Sequence, residues 1–142
     1  TSSFTMESDG AGFLVFKKID DDVKVLGLIS PESKIVEKGG IYDIPKGSKL
    51  FNETDLECAK RECFEECGIQ IQDREIIGPG TKIGTLTIYP AFTSSDPVIR
   101  PNPKSGIIEH DGWKWLDTSD LISNCQTWLK DIIVSCLKSI EK

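Results

Sequence analysis

The spacing of apolar residues in the first third of the chain predicts a β-hairpin followed by a short strand. Residues 12–16 form an unbroken apolar run, and residues 23–29 alternate in part between apolar and polar side chains. Three consecutive aspartates at residues 20–22 separate the two runs and mark a turn. Residues 30–38 are polar and are expected to connect the hairpin to a strand at residues 41–44, which a proline ends.

The clearest helical pattern covers residues 54–67. Thr54 or Asp55 is a suitable N-cap, and acidic residues fill the first turn, where the helix dipole favours them. Gly68 follows the last helical residue, as a C-terminal cap often does. One face carries a stripe of small or apolar side chains, namely Leu56, Ala59, Cys63 and Cys67. This stripe predicts a helix packed against the sheet.

The second half of the chain predicts further strands and a final helix. Strands are expected at residues 69–77, 81–89 and 107–116, and a long loop at residues 90–105, which hold four of the seven prolines. Residues 121–140 predict one helix whose core-facing stripe is Trp128, Ile132, Ile133, Cys136 and Ile140. The order of elements indicates an α/β fold of the mixed α+β kind, with a mixed sheet between helices.

Length and charge restrict the possible functions. The 142 residues suit one domain, expected to cover residues 6–142, with residues 1–5 preceding Met6 as a remnant of the expression vector. Acidic residues outnumber basic ones 23 to 17, so the net charge of −6 argues against nonspecific binding to nucleic acid or anionic membranes. No apolar stretch approaches the roughly 20 residues needed to span a bilayer. We therefore expect neither membrane insertion nor an independent RNA-binding surface.

The five cysteines predict reduced thiols. Their number is odd, no secretory leader precedes them, and three of them lie on the predicted helix at residues 54–67. A zinc site would need a different pattern, because the chain has no CxxC pair and its single histidine, His110, is far along the sequence. These features indicate a cytoplasmic location.

Three glutamates on the predicted helix are the first sign of chemistry. Glu62, Glu65 and Glu66 are spaced i, i+3 and i+4, so they project from one side of a helix. Carboxylates this close repel one another unless solvent screens them or a cation neutralises them. Oxygen ligands on a rigid platform suit Mg²⁺ or Mn²⁺. The spacing by itself leaves open a solvated acidic face and a metal site.

The segment around these glutamates resembles the Nudix box. Gly47 is followed by five residues, Glu53, seven more residues, and then Arg-Glu-Cys-Phe-Glu-Glu-Cys-Gly-Ile at residues 61–69. Every fixed position of the box is filled, with Cys63 at a position that is usually aliphatic, where a buried thiol is acceptable. The resemblance implies a Nudix-type α/β/α sandwich. It also implies cleavage of a diphosphate linkage in a nucleoside diphosphate that is joined to another group.

The resemblance also implies roles for individual residues. Glu65 and Glu66 match metal-ligand positions, and Glu62 matches a position that binds metal or orients the attacking water. Arg61 matches a position beside the catalytic glutamates, and its expected role is chiefly to orient them by pairing with Glu53 or Glu62. The backbone carbonyl of Lys46 lies where the family supplies a further metal ligand. The structural positions of the box are Gly47, Glu53 and Gly68.

Two flanking segments narrow the substrate class. Pro45-Lys46-Gly47 is similar to the entry to the box in dinucleoside polyphosphate hydrolases, diphosphoinositol polyphosphate phosphohydrolases and mRNA decapping enzymes. The run from Glu109 to Leu116 resembles a segment of diadenosine tetraphosphate hydrolases and RNA pyrophosphohydrolases. Glu109 is expected to act as an additional metal ligand or general base. His110 is a candidate to donate to a phosphate or stack on a base, and Lys46 is a candidate point charge for the phosphate chain.

Aromatic side chains are expected to hold a base by stacking. Trp115 and Trp128 are assigned to the core instead, Trp128 because of its helical spacing. The loop at residues 90–105, with Arg100 and Lys104, is expected to close over the substrate. The candidates for stacking are Tyr42, Tyr89, Phe92 and Trp113.

The sequence therefore predicts a Mg²⁺-dependent Nudix hydrolase of small nucleotides, foremost dinucleoside polyphosphates. Removal of a 5′ cap or 5′ pyrophosphate from RNA is an alternative in which RNA is a substrate only. Hydrolysis of diphosphoinositol polyphosphates is a further alternative. Such a substrate should demand a dense cluster of Lys and Arg, and few basic residues flank the box. A non-catalytic nucleotide-binding module is disfavoured because every box glutamate is present.

Overall fold

The computed structural model describes residues 9–101, 103 and 106–140, and within these ranges the chain forms one mixed sheet and four α-helices. The predictions for residues 1–5, Met6 and Lys104 lie outside the described residues. The strands are β1 Gly10–Ile19, β2 Asp22–Ile29, β3 Tyr42–Asp43, β4 Lys46–Ser48, β5 Thr81–Ile83, β6 Leu86–Phe92 and β7 Gly112–Leu116. The helices are α1 Glu32–Lys38, α2 Asp55–Cys67, α3 Thr118–Asn124 and α4 Lys130–Ile140.

Strand β1 lies at the centre of the sheet. It pairs antiparallel with β2, with Phe16 opposite Val25, which confirms the predicted hairpin. It also pairs parallel with β6 and antiparallel with β4, where Gly12 lies opposite Lys46. Strand β2 continues the sheet to β3 and β7, and β6 continues it to β5. The sheet is therefore mixed, and its central strand borders the start of the Nudix box.

Alternate side chains of β1 enter two separate cores. Phe13 and Val15 face one side and pack with the cysteine-bearing face of α2. Leu14 and Phe16 face the other side and pack with a cluster that includes Leu121 of α3 and Ile133 of α4. This period-two alternation makes one strand serve both layers. The predicted arrangement of a mixed sheet between helices is confirmed.

One prediction for the connecting segments is wrong and another is incomplete. Residues 30–38 contain α1. This helix buries none of its residues, so the sequence has no apolar stripe from which to predict it. Residues 69–77 form no strand but hold a 3-10 turn at Asp73–Glu75 and one isolated bridge between Ile76 and Ala91. In residues 30–38 backbone hydrogen bonds form the helix without a buried face, whereas in residues 69–77 Ile69 and Ile71 enter the core without forming a strand.

The strands of the second half are shorter or divided. Residues 81–89 fold as a hairpin of β5 and β6, and residues 107–116 are a strand only from Gly112 onwards. Strand β6 runs through Pro90 to Phe92, so the loop begins later than predicted. Strand β5 pairs with β6 only as far as Ile88, so Pro90 needs no N–H on that side.

The last helix is broken where the chain pairs with β3. Asn124 accepts a hydrogen bond from the backbone of Ile41, and the backbone N–H of Gln126 donates to Tyr42. A 3-10 turn at Thr127–Leu129 then separates α3 from α4. Trp128 lies in this turn and is 50% exposed, so its assignment to the core is wrong. The core positions predicted on α4 are buried at Ile132, Ile133 and Cys136.

All five cysteines are free and buried, as expected for reduced thiols. The Sγ atoms of Cys63 and Cys67 lie 3.8 Å apart inside the core beneath α2. Burial raises the pKa of the Cys58 thiol to about 11. Over the described ranges, no helix has the length and apolar character to cross a membrane.

Candidate active site

Helix α2 has fixed ends. The backbone N–H of Glu57 donates to Thr54 Oγ1 at 3.1 Å, and the Thr54 N–H donates to Glu57 Oε1 at 2.8 Å, which together form a capping box. At the other end Gly68 adopts φ 71°, a left-handed conformation that glycine takes without strain. The glutamates between these caps therefore start from a well-defined backbone.

Arg61 ties the box loop to the helix. Its Nε donates to Glu53 Oε2 at 2.7 Å, and its Nη2 donates to Glu53 Oε1 at 3.0 Å and to the Ser48 carbonyl at 2.8 Å. Its Nη1 donates to Glu62 at 3.1 Å and to Glu65 at 3.3 Å. The hydrogen bond with Glu53 raises the pKa of Arg61 above its usual value, so the guanidinium stays charged. One side chain thus orients two candidate ligands and the loop.

Gly47 leaves room for the carboxyl group of Glu62. A Cβ atom at residue 47 would lie 2.1 Å from the Glu62 Cδ, far inside van der Waals contact. Glu62 is buried and lies against this backbone. The box glycine is therefore needed for a close approach of backbone to carboxylate.

Glu66 lies in an acidic environment. Its Oε1 accepts a long hydrogen bond of 3.4 Å from the Lys46 backbone N–H. Removal from water raises the pKa of the Glu66 carboxyl well above its usual value. The charge of Lys46 opposes that rise, and the carboxylates of Asp43, Glu62 and Glu109 add to it. Three carboxyl groups, from three segments, therefore lie near enough to Glu66 to act on it electrostatically.

This donor set fits a hard divalent cation by its chemistry. All its side-chain donors are carboxylate oxygens, and a cation among them would relieve their mutual repulsion. In the part of the chain that the structure describes, no three His, Cys, Asp or Glu side chains are arranged to enclose a metal ion. Arg61 holds Glu62 and Glu65, and Glu66 is turned toward Lys46. Metal binding therefore requires these carboxylates to turn away from their present partners.

Asp43 joins three segments of the chain next to this cluster and was not singled out from the sequence. His110 Nε2 lies 3.0 Å from Asp43 Oδ2, and Lys46 Nζ lies 3.0 Å from Asp43 Oδ1. Burial would raise the pKa of Asp43, but the His110 hydrogen bond and the Lys46 charge offset it, so the pKa is lowered. An aspartate inside a short apolar strand was the available signal, since a buried carboxylate needs partners.

His110 is 5% exposed and contacts Asp43, so its position favours orienting the site over touching substrate. Its neighbour Glu109 is exposed and adds to the rise in the pKa of Glu66. The His110–Asp43 contact therefore holds the segment that carries Glu109 close to the box. Both residues were predicted for this site; His110 lies against Asp43, and Glu109 is near enough to Glu66 to affect its pKa.

The four predicted stacking residues do not come together. Tyr89 and Trp113 pack against the core beneath α2, whereas Tyr42 and Phe92 pack on the opposite side of the sheet. The ring of Tyr89 lies 6.0 Å from Phe13. Trp115, expected in the core, is partly buried against the same cluster as Trp113. The sheet therefore separates these rings into two pairs.

A cleft of about 570 Å³ opens beside the box loop. The residues that border it include Trp128, Lys38, Lys46, Gly47 and Leu86. Trp128 was missed because its spacing matched the apolar stripe of α4. The sequence signal for a break in the last helix is limited to the polar residues on either side of Cys125.

The loop after β6 packs on the outer side of α2. The backbone N–H of Val98 donates to the Cys67 carbonyl at 2.8 Å, and the Arg100 guanidinium lies 4.6 Å from the Phe64 ring centroid. Glu65, Phe64 and Arg100 line a second, smaller cavity of about 340 Å³. The predicted closure of this loop over substrate stays a prediction.

Comparisons with known proteins agree with this architecture. A search against family models finds no match. The RNA pyrophosphohydrolase of Bartonella henselae is 29% identical over 136 residues, covering 79% of this chain and 77% of that protein.

Several solved structures share the fold. An Ap4A hydrolase from C. elegans, in a binary complex, has a TM-score of 0.63 and 17% identity, covering 93% of this chain and 96% of that one. A MutT protein from Methanosarcina mazei has a TM-score of 0.64 and 16% identity, covering 96% and 99%. The NUDIX domain of Shewanella oneidensis NrtR, complexed with ADP ribose, has a TM-score of 0.65 and 15% identity, covering 99% and 92%.

These findings confirm two predictions made from the sequence, the Nudix-type fold and the resemblance to Nudix pyrophosphohydrolases. The box at residues 47–69 occupies the loop and helix that gather the carboxylates described above. The chain has the fold of the Nudix hydrolases, and its residues 47–69 resemble the Nudix box at every fixed position.

Proposed function

We propose that the chain hydrolyses a diphosphate linkage in nucleoside polyphosphates with the help of Mg²⁺ or Mn²⁺. The observation that carries this proposal is the placement of the box glutamates: Arg61 binds both Glu62 and Glu65, Glu62 and Glu66 interact electrostatically, and Gly47, against which Glu62 lies, borders a cleft that contains Lys46. A diphosphate is densely negative, so attack by water requires its charge to be neutralised. The site offers positions for divalent cations next to a lysine that suits a phosphate chain.

Each residue has a defined part in this proposal. Glu62, Glu65 and Glu66 would hold the metal, with the Lys46 carbonyl as a further oxygen donor. A bound divalent cation neutralises phosphate oxygens and lowers the pKa of water. Glu109 accepts the proton of the attacking water, and the Lys46 ammonium binds the phosphate chain electrostatically.

Two residues act on the ligands rather than on substrate. Arg61 holds the box loop against α2 through Glu53 and orients Glu62 and Glu65. His110 and Asp43 hold the Glu109 segment and the Lys46 ammonium in place. These contacts support pre-organisation of the box loop, the Glu109 segment and Lys46 before substrate binds, whereas Glu62 and Glu65 have to leave Arg61 when metal binds.

Dinucleoside polyphosphates are the first candidate substrates. The shared fold with an Ap4A hydrolase supports them, as does a cleft with two lysines rather than a dense basic cluster. Removal of pyrophosphate from RNA 5′ ends is the second candidate, supported by the similarity to the B. henselae RNA pyrophosphohydrolase. The net charge of −6 supports the smaller substrate, because RNA binding draws on a basic surface. The free thiols support a cytoplasmic location.

A substrate panel with and without Mg²⁺ tests the proposal. Diadenosine tetraphosphate and a 5′-triphosphorylated oligonucleotide are compared at equal concentration, with the products analysed in ¹⁸O-labelled water. We expect faster turnover of the dinucleotide, complete loss of activity in EDTA, and recovery when Mg²⁺ is restored. Absence of turnover with every member of the panel would overturn the proposal.

A further inference from the structure

Trp128 presents an exposed aromatic ring whose orientation is fixed. Half of the residue is exposed, yet its indole Nε1 donates to Gln126 Oε1 at 2.8 Å. Gln126 is itself buried and donates through Nε2 to Ser30 Oγ at 3.1 Å. A large apolar ring held by a buried polar chain loses little conformational entropy when it binds a flat ligand.

Lys46 connects this ring to the acidic cluster. Its Nζ lies 5.1 Å from the centroid of the Trp128 ring and 3.0 Å from Asp43 Oδ1. Its backbone N–H donates to Glu66 Oε1. A group bound against Trp128 is therefore within reach of the site proposed for phosphate cleavage.

Lys38 adds a second positive charge to the same cleft. It ends α1, and the following residue, Gly39, packs directly against the Trp128 turn. Thr127 Oγ1 donates to the Gly39 carbonyl at 3.3 Å. A Cβ atom added at residue 39 would lie 2.5 Å from Thr127 Oγ1. The end of α1 therefore packs against the turn that carries Trp128, and Lys38 and Trp128 border the same cleft.

We propose that this cleft is the nucleoside subsite, in which Trp128 stacks on the base and Lys38 binds the phosphate chain. The inference rests on the proposed function and names where its substrate lies. The chemistry supports it because stacking tolerates any base and an ammonium attracts phosphate. The four aromatic residues first considered for this role pack against the two cores instead.

Calorimetric titration with two probes tests the proposal directly. The first probe, α,β-methylene-ADP, carries a base and a diphosphate that water cannot cleave, and the second, methylenediphosphonate, lacks the nucleoside. We expect Trp128→Leu to weaken binding of the first probe about 5- to 100-fold, the range for losing one stacked base, and to leave the second unchanged. Trp128→Phe should recover most of the loss because it keeps an aromatic ring.

Two control variants separate the subsite from general damage to the fold. Trp115→Phe alters an aromatic residue outside the cleft and should change neither affinity. Lys38→Gln should weaken both probes, roughly 3- to 10-fold for one lost charge contact. Lys34→Gln removes an exposed lysine from the same helix but outside the cleft, and should change neither.

The outcomes distinguish this inference from the function on which it rests. Wild-type affinity of Trp128→Leu for α,β-methylene-ADP, or failure of the unaltered chain to bind that probe, would overturn the subsite. If nucleotides are hydrolysed and Trp128→Leu has an unchanged KM, the subsite is wrong and the function stands. If binding depends on Trp128 but no substrate is cleaved, the subsite stands and the hydrolase proposal fails.

Discussion

The two walls of the candidate site are held by different kinds of contact. We call residues 47–68 the acidic wall. There Arg61 pairs with Glu53, and the carboxyl group of Glu62 lies against Gly47, so both contacts are made within one short stretch of chain. In the aromatic wall, at residues 124–129, Gln126 bonds to Ser30 across 96 residues of sequence. The box glutamates proposed to bind metal are thus positioned locally, whereas Glu109 and the groups proposed for substrate recognition depend on contacts between distant segments.

The walls also differ in charge. The acidic wall carries the glutamates of α2, and burial, together with the negative charges of Asp43, Glu62 and Glu109, raises the pKa of Glu66. The opposite wall carries Lys38 beside Trp128. Lys46 lies between the two walls. Its backbone N–H donates to Glu66, and its ammonium lies over the Trp128 ring. This division predicts that changes in the acidic wall act on kcat, and changes in the aromatic wall act on KM.

The largest expected effect comes from Glu66→Gln. Losing one carboxylate from the proposed metal site should lower kcat by about 10³-fold, comparable to the loss of another strong electrostatic element. Steady-state kinetics on the best substrate of the panel measure it. Glu32→Gln, at an exposed position on α1, is the matched control and should keep full activity. Normal activity of Glu66→Gln would show that the metal site is assigned to the wrong residues.

Gly47→Ala should lower kcat by about 100-fold, because a displacement of about 1 Å in a catalytic group has that effect. The added methyl group would occupy the space of the Glu62 carboxyl, 2.1 Å from its Cδ. Gly112→Ala is the control, since its Cβ would meet nothing closer than 3.7 Å. Equal activity of the two variants would mean that the Glu62 position does not matter for turnover.

Arg61→Lys should reduce the free energy of unfolding by roughly 1–3 kcal/mol, because an ammonium cannot replace the bidentate pairing with Glu53. Urea denaturation measures the change, and Arg74→Lys, at an exposed position, should cause almost none. If the pairing accounts for the loss, the effect of Arg61→Lys should largely disappear in a Glu53→Gln background. Additive effects would contradict the proposed clamp.

Thr54→Ala should have the smallest effect, a destabilisation of about 1 kcal/mol from loss of the N-cap. The substitution removes the oxygen that accepts from the Glu57 N–H and leaves the glutamates in place. Thermal unfolding measures it, with Thr118→Ala, at the first residue of α3, as the comparison, because that helix has no side-chain cap bond. We expect KM to be unchanged; a large rise in KM would contradict the separation of the two walls.

The acidic wall could be predicted from the sequence because its signals are local. Thr54 and Gly68 mark the ends of α2 through capping and a left-handed backbone, and both effects act within a few residues. The spacing of the glutamates fixes which side of the helix they share. The prediction of a helix at residues 54–67 therefore agrees with Asp55–Cys67 and its Thr54 cap.

The aromatic wall could not be predicted in the same way. The apolar spacing of residues 121–140 fits one helix, but backbone hydrogen bonds with Ile41 and Tyr42 break it at Asn124 and Gln126. A tertiary contact thereby overrides a periodic pattern and places Trp128 on the surface. Asp43 escaped notice for a related reason, since its partners His110 and Lys46 come from other segments.

The central claim is that the carboxylates of α2 exist to bind divalent metal. The most direct test is an anomalous difference map from crystals soaked in Mn²⁺. We predict a peak bonded to oxygens of Glu62, Glu65 and Glu66, with Glu62 and Glu65 turned away from Arg61. A featureless map, with both carboxylates still paired to the guanidinium at saturating Mn²⁺, would contradict the claim.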